Sequence, residues 1–163
     1  MDKTCPTNSS EIFKKTGGGR FVGILMDVEA LSSFLEREFP QVNAHGMAFT
    51  VTDAGAGFAS MRLDPMDRHL RPGGTVSGPT LFALADLTAY VAILAQIGPV
   101  ALAVTTNLNI NFLRKPELGP IDATAKLLKL GKRLAVVDIF MTSAVNGELV
   151  AHATSTYSIP PQA

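Results

Sequence analysis

The chain has 163 residues, of which 47% are hydrophobic and 17% are charged, and its basic and acidic side chains balance to a formal net charge of zero. This length is typical of one domain, and the apolar content is sufficient for a buried core, which excludes an intrinsically disordered chain. Because there is no basic field to attract phosphate backbones or anionic lipid, nucleic acid is not an expected partner.

The first 25 residues are predicted to form a loose leader ahead of a single domain that spans residues 26–163. The leader is polar and contains Gly17-Gly18-Gly19, a run that lacks the Gly-Lys-Ser/Thr ending of a phosphate-binding loop. Its cysteine, Cys5, is the only one in the chain and cannot form an internal disulfide, which fits a reducing cytoplasm, where we expect the protein. Met26 is an alternative start of translation, a hypothesis that N-terminal sequencing of the native protein would test.

A short helix and two strands are predicted next. Apolar residues recur at helical spacing between Asp27, a typical N-cap, and Pro40, which ends the helix. Two short strands follow, near residues 47–52 and 58–63, and residues 53–57 (Asp-Ala-Gly-Ala-Gly) are predicted to join them as a turn. This half of the chain therefore predicts a hairpin beside a helix.

The longest apolar segment is a helix predicted to begin at Pro79, after an irregular loop, and to end at Gly98-Pro99. By length alone, residues 81–104 could span a bilayer. The acidic Asp86 within this stretch, the Gly-Pro break and the strand patterns that follow instead favour a helix enclosed in a globular protein. We therefore expect no membrane contact.

After this helix the hydrophobic period changes to two, which predicts four strands: Thr106–Phe112, Ile121–Leu130, Leu134–Ser143 and Leu149–Ile159. Asn146-Gly147, between the last two, is the strongest hairpin signal in the chain. A helix that is apolar nearly all round must be enclosed, and the sheet is the element available to enclose it. The sequence therefore predicts an α+β domain in which a curved antiparallel β-sheet wraps around one long central apolar helix.

Asp86 is the first candidate for chemistry on that helix. An ionised carboxylate in apolar surroundings is costly unless it is paired or faces a cleft, and a neutral carboxyl is the alternative. Two interpretations stay open on these grounds: a solvated position on a thin polar edge shared with Thr88 or Tyr90, or a functional group. Tyr90 lies one turn later on the same face and could orient the carboxylate or line a pocket.

The beginning of the helix supplies a second candidate. Helix N-termini present unpaired backbone N–H groups and a partial positive charge, and because Pro79 donates nothing, the N–H of Gly78 is a natural donor. Such an N–H, with a carboxylate two turns along, can polarise a carbonyl and direct a nucleophile at it. By itself, however, Gly78-Pro79 is also an ordinary way to begin a helix.

Five stretches in and beyond this helix follow one another along the chain: Arg71-Pro72-Gly73-Gly74-Thr75-Val76-Ser77-Gly78-Pro79, Leu84-Ala85-Asp86, Asn109 to Pro116, Gly131 to Val137, and Gly147 to Thr154. In that order they resemble the hotdog-fold thioesterases, specifically the phenylacetate-pathway and 4-hydroxybenzoyl-CoA branch, and the resemblance extends from about Gly46 to Ile159. It implies a hotdog fold and a homodimer, expected to pair into a dimer of dimers, with active sites shared between subunits. It also implies hydrolysis of an acyl-CoA thioester, in which coenzyme A is part of the substrate and no separate cofactor is needed.

By position in that family, Asp86 matches the catalytic carboxylate, acting as general base on water or as nucleophile, and Gly78 matches the residue whose N–H binds the thioester oxygen. Two positions depart from the pattern. Ser77 stands where a histidine is usual, and it cannot titrate near neutral pH. Arg71 stands where asparagine or glutamine is usual, and this permanent cation can pair with Asp86 or bind an anionic substrate group. These departures keep a non-catalytic acyl-CoA-binding protein open as the alternative function, and a structural assembly subunit as the third.

Further cations have two interpretations. Four basic residues lie in or near predicted turns: Arg114, Lys115, Lys132 and Arg133. The ordinary explanation is that their charges are solvated, and the functional explanation is that they contact the phosphates of coenzyme A. The predicted substrate-binding residues are therefore Arg71, Ser77, Tyr90, Arg114 and Lys115.

Metal and serine-nucleophile chemistry are not expected. His45 and His69 are assigned to loops and His152 to the polar face of a strand, and the three have no metal-ligand spacing, so we expect no metal. Ser77 as a nucleophile would need a nearby histidine, and the Gly-x-Ser-x-Gly elbow that it superficially matches follows a strand.

Overall fold

The computed structural model describes residues 23–161. Most of the predicted leader, with Cys5 and the glycine run, lies outside the described residues. At the leader's end, the backbone N–H groups of Leu25 and Met26 both donate to the carbonyl oxygen of Ala95, at 2.7 and 3.3 Å. Met26 is also buried, so from this point onward the chain packs against the C-terminal end of the long helix that contains Ala95.

Within residues 23–161, six antiparallel strands form one sheet: β1 (Phe49–Gly55), β2 (Phe58–Leu63), β5 (Val104–Phe112), β6 (Ile121–Leu130), β7 (Leu134–Ser143) and β8 (Leu149–Ser158). Their order in the sheet is β1-β2-β6-β7-β8-β5. The other elements in the described part of the chain are the helices α1 (Val28–Glu38) and α2 (Gly78–Ile97), a two-stranded ribbon of β3 (Leu70–Arg71) and β4 (Thr75–Val76), and 3-10 turns at Pro40–Asn43 and Asp67–His69. The predicted α+β architecture, a sheet around one long helix, is confirmed.

Helix α2 is the centre of the core and contacts all six strands of the large sheet. By length and composition it could cross a membrane, but most of its side chains are buried inside the protein, as predicted for a core helix. The strands facing it carry small residues, with Ala123 and Ala125 on β6 and Ala151 and Ala153 on β8, all without exposed surface. Small side chains let the helix approach the sheet closely, which explains how a mostly apolar helix of twenty residues fits inside it.

Two local predictions differ from the structure. Strand β1 continues through Gly55, because the predicted turn residues Asp53 to Gly55 pair with β2 after a bulge, and the turn itself is only Ala56-Gly57. Pairing with a neighbouring strand here overrides the low strand propensity of Asp and Gly. In addition, the loop before α2 contains the ribbon of β3 and β4. Each of these strands has only two residues, which is too short for a hydrophobic period to predict it.

Candidate functional site

The loop ahead of α2 is organised by one backbone carbonyl. Gly73 and Gly74 adopt φ values of 95° and 69°, a conformation that favours glycine, and they reverse the chain between β3 and β4. The carbonyl of His69 then accepts hydrogen bonds from the N–H of Ser77 at 2.8 Å and from the hydroxyl of Thr80 at 3.2 Å. These contacts determine where α2 begins.

Helix α2 begins at Gly78, one residue before the predicted Pro79, with Ser77 as its N-cap. The Ser77 hydroxyl accepts from the Thr80 N–H at 3.4 Å and lies 2.8 Å from the Thr80 hydroxyl, so Ser77 caps the helix. As the first helical residue, Gly78 has no intrahelical acceptor for its N–H. A Cβ at Gly78 would lie 3.2 Å from Cζ of Phe112, so the absence of a side chain lets the aromatic ring approach the backbone.

Gly78 opens onto a cavity of about 520 Å³, whose lining includes Arg71, Leu81, Phe112, Arg114 and Lys115. Three of these side chains are permanent cations near pH 7. The Arg114 side chain is 60% exposed and its guanidinium lies 3.5 Å from Glu148, an exposed pair that contributes little to stability. The cavity therefore combines a positive helix end, exposed cations and an aromatic wall, which suits an anionic ligand with an apolar part.

The Asp86 carboxylate is bound by two hydroxyl groups from the sheet. Oδ1 accepts from Thr105 Oγ1 at 2.5 Å and from Tyr157 Oη at 2.6 Å. The Tyr157 hydroxyl also lies 2.8 Å from the backbone oxygen of Asp86. Thr105 on β5 and Tyr157 on β8 are direct partners in the strand register, so neighbouring strands present both hydroxyls to one carboxylate oxygen.

Neither hydroxyl was predicted from the sequence. Thr105 and Tyr157 are 19 and 71 residues from Asp86, and each is an ordinary strand residue until the strand order is known. Tyr90, which was expected to orient Asp86 or line its pocket, donates its hydroxyl to the carbonyl of Ala101 at 3.0 Å. It does line the pocket, a cavity of about 320 Å³ whose other walls include Phe39, Leu87, Ala103, Val104 and Tyr157.

Gly78 and Asp86 do not share a cavity within one chain. They are eight residues apart in α2, which is about 12 Å along the helix axis. The two cavities have no lining residue in common, and Arg71 belongs to the Gly78 cavity. None of the ion pairs among residues 23–161 includes Arg71 or Asp86, so Arg71 does not pair with Asp86 in the single chain. The expectation that both groups act on one carbonyl is therefore not met inside one subunit.

The histidines lie apart from both cavities. His69 is buried, and its Nδ1 accepts from the N–H of Met66 at 2.9 Å, while burial and then the charge of Arg68 lower its pKa. His152 lies on the polar face of β8, as predicted, with Nε2 2.5 Å from Asp138. Among the described residues no group of three or more His, Cys, Asp or Glu side chains could bind a metal ion.

The remaining predicted cations, Lys132 and Arg133, follow β6 and lie at the C-terminal end of α2. They line a cavity with Leu25, Ile97 and Ile159. Gly78 begins the same twenty-residue helix, which places its cavity about 30 Å away. The structure thus separates these two residues from Arg114 and Lys115, with which the sequence grouped them.

Comparisons with known proteins show which proteins this chain is similar to. The sequence model of the family described as Thioesterase superfamily matches residues 73–150. The crystal structure of a candidate thioesterase from Silicibacter sp. TM1040 is 48% identical, covering 87% of this chain and 97% of that one, with a TM-score of 0.78. Human acyl-coenzyme A thioesterase 13 is 29% identical over 66% of this chain and 76% of its own length. A mutant form of the phenylacetic acid degradation protein PaaI from Thermus thermophilus is 28% identical, covering 69% of this chain and 94% of that one, with a TM-score of 0.62.

Proposed function

This chain belongs to the thioesterase superfamily, and on that premise we propose that it hydrolyses acyl-CoA thioesters with Asp86 as the catalytic carboxylate. The observation that carries the proposal is the environment of Asp86: a half-buried carboxylate on an apolar helix, bound by two hydroxyls at the wall of a cavity that is lined by both apolar and polar side chains. A charge in such surroundings costs stability, so its presence is best explained by chemistry.

The proposed reaction uses the two halves of the site in complementary roles. The thioester oxygen accepts from the Gly78 N–H at the positive end of α2, which stabilises the negative charge that develops on that oxygen. Asp86 either removes a proton from the attacking water or attacks the carbonyl carbon itself, forming a mixed anhydride that water then cleaves. In both routes the C–S bond breaks, the thiolate of coenzyme A leaves and takes up a proton, and the free acid is released.

A second copy of the chain brings the halves together in this proposal. Thr105, near the start of β5, contacts Asp86, whereas Phe112, at its end, lies against Gly78. Strand β5 is an edge strand of nine residues without a charged side chain, and exposed edges of this kind are prone to pair with another strand. When two β5 strands pair antiparallel, the start of one strand lies beside the end of the other. In this proposal, Gly78 of one copy therefore lies beside Asp86 of the other. Further pairing into a dimer of dimers stays a prediction.

The two ends of the substrate are proposed to bind in different cavities. Arg71, Arg114 and Lys115 surround the Gly78 cavity and are proposed to attract the phosphates of coenzyme A. The acyl group is proposed to enter the cavity beside Asp86, between the aromatic rings of Phe39 and Tyr90. Ser77 has no direct role here, since its hydroxyl caps the helix that presents Gly78.

The decisive experiment is a thiol-release assay over a panel of acyl-CoAs with the wild type and Asp86→Asn. We expect Asp86→Asn to lose about 100- to 10,000-fold in kcat, the usual contribution of a general base. Asp53→Asn, at an exposed site on β1, is the matched control and should retain full activity. Robust turnover by Asp86→Asn would contradict the mechanism. Tight binding of acyl-CoA without turnover by the wild type would favour the non-catalytic binding protein, the alternative raised by Ser77 and Arg71.

A further inference from the structure

We propose that Tyr157 is a positioning residue for this hydrolysis: its hydroxyl fixes Oδ1 of Asp86, so that Oδ2 is the oxygen that acts on the water or the thioester. The inference rests on the proposed function, because it assigns a role within that reaction. It goes further in naming a residue of β8, far from the helix in sequence, and in distinguishing the two carboxylate oxygens.

The geometry around Tyr157 is that of a fixed donor. Its side chain is 2% exposed, so the ring has little freedom to move. The ring of Tyr90 stacks on it, with centroids 6.4 Å apart and an interplanar angle of 20°. From this position the hydroxyl reaches Oδ1 of Asp86 at 2.6 Å, the length of a hydrogen bond to a charged acceptor.

The two oxygens of Asp86 have different surroundings. Oδ1 accepts from both Thr105 and Tyr157. Among residues 23–161, no donor contacts Oδ2, and no fully buried side-chain oxygen there lacks a partner, so Oδ2 keeps some accessible surface. One oxygen is thus bound by the protein, and the other has no protein donor and lies on the residue that lines the cavity.

Tyr157 is a donor that does not titrate in the working range. Burial, together with the negative charge of Asp86, raises the pKa of Tyr157 above its ordinary value. The phenol therefore keeps its proton near neutral pH. It orients the carboxylate and does not act as an acid or base in the reaction.

A positioning role predicts an effect on kcat in particular. Displacement of a reacting group by about 1 Å can reduce the rate about 100-fold without changing substrate binding. Tyr157→Phe removes the hydroxyl and keeps the ring that stacks on Tyr90. We expect kcat to fall roughly 10- to 100-fold with KM within about twofold of the wild type.

The matched control is Thr88→Val. Thr88 is buried on α2, two residues after Asp86, but its hydroxyl donates to the carbonyl of Leu84 at 2.6 Å and does not contact Asp86. This variant of similar shape should keep kcat within about twofold of the wild type if the contact with Asp86 is what matters. Crystal structures of both variants provide a readout independent of rate: Asp86 should leave its single side-chain conformation in Tyr157→Phe and keep it in Thr88→Val.

The outcomes separate this inference from the function on which it rests. Wild-type turnover with an equally active Tyr157→Phe, or an unchanged Asp86 conformation in that variant, would overturn the role of Tyr157 alone. A wild type without turnover would overturn the proposed function and this role with it. If Tyr157→Phe does not fold, Thr105→Val removes the other Oδ1 donor from the edge strand, and a loss of kcat restored by Thr105→Ser supports the same assignment of oxygens, whereas an unchanged kcat contradicts it.

Discussion

The Gly78 end of α2 and the region around Asp86, two turns further on, are built in opposite ways. Gly78 is placed by contacts of near neighbours, in which the carbonyl of His69 binds Ser77 and Thr80 eight and eleven residues later. Asp86 is placed by hydroxyls that lie 19 and 71 residues away on β5 and β8. One half of the proposed site is therefore a product of local sequence, and the other exists only once the sheet has formed.

The first and largest test of this comparison asks whether the two halves come from different chains. Asp86→Asn removes the carboxylate, and Gly78→Val crowds the oxyanion site, because a Cβ there already lies 3.2 Å from Phe112. Each variant alone should lose about 100-fold or more in kcat. If the halves meet across the dimer, unfolding and refolding the two variants together yields heterodimers with one intact site each.

Activity should then return to roughly a quarter of the wild-type value, since half of the dimers are mixed and each has one of two sites intact. Mixing each inactive variant with itself is the control and should restore nothing. An inactive mixture in which heterodimers are demonstrated by mass spectrometry would mean that both halves are needed from one chain.

The contrast between the two regions also explains what the sequence could predict. Helix α2 and strands β5 to β8 follow from hydrophobic periods that are readable within about ten residues. Asp86 stands out because it is a charge on an apolar helix, and Gly78 because a proline follows it. Thr105 and Tyr157 could not be found in this way, since nothing in either segment indicates that β5 and β8 are neighbours or that their paired residues face the same carboxylate.

The ribbon before α2 was missed for a different reason, although it is built from residues close together in sequence. Its strands have two residues each, too short for any period, and they depend on glycines at positive φ and on the carbonyl of His69. Local sequence determines this structure, but through backbone conformation and hydrogen bonds, to which a hydrophobic pattern is insensitive.

Arg71 distinguishes the two regions, because the sequence allowed it either to pair with Asp86 or to bind an anionic group of the substrate. In the single chain it lines the Gly78 cavity, so we expect Arg71→Gln to raise KM for acyl-CoA roughly three- to fivefold, the scale of one exposed charge pair, with kcat unchanged. The matched measurement uses the same acyl group on N-acetylcysteamine, which lacks the phosphates of coenzyme A and should show no change in KM. A fall in kcat with both thioesters would instead indicate that Arg71 acts on Asp86 across the dimer.

The smallest expected effect is on the free energy of unfolding, and it concerns His69 in the loop before Gly78. Because burial and the nearby Arg68 lower the pKa of His69, the folded protein keeps this ring neutral, with Nδ1 accepting from Met66. The stability that depends on the neutral ring is complete above the unfolded-state value of 6.5 and decreases as the pH falls through and below it. Loss of one such hydrogen bond corresponds to about 1 kcal/mol.

Urea unfolding between pH 7.5 and 5 should detect this decrease in the wild type. His69→Asn can keep an acceptor near Nδ1 without titrating, so its free energy of unfolding should depend less on pH across the same range. His45→Asn, at an exposed position, should behave like the wild type. Equal pH dependence in the wild type and His69→Asn would show that protonation of His69 does not weaken the loop that places Gly78.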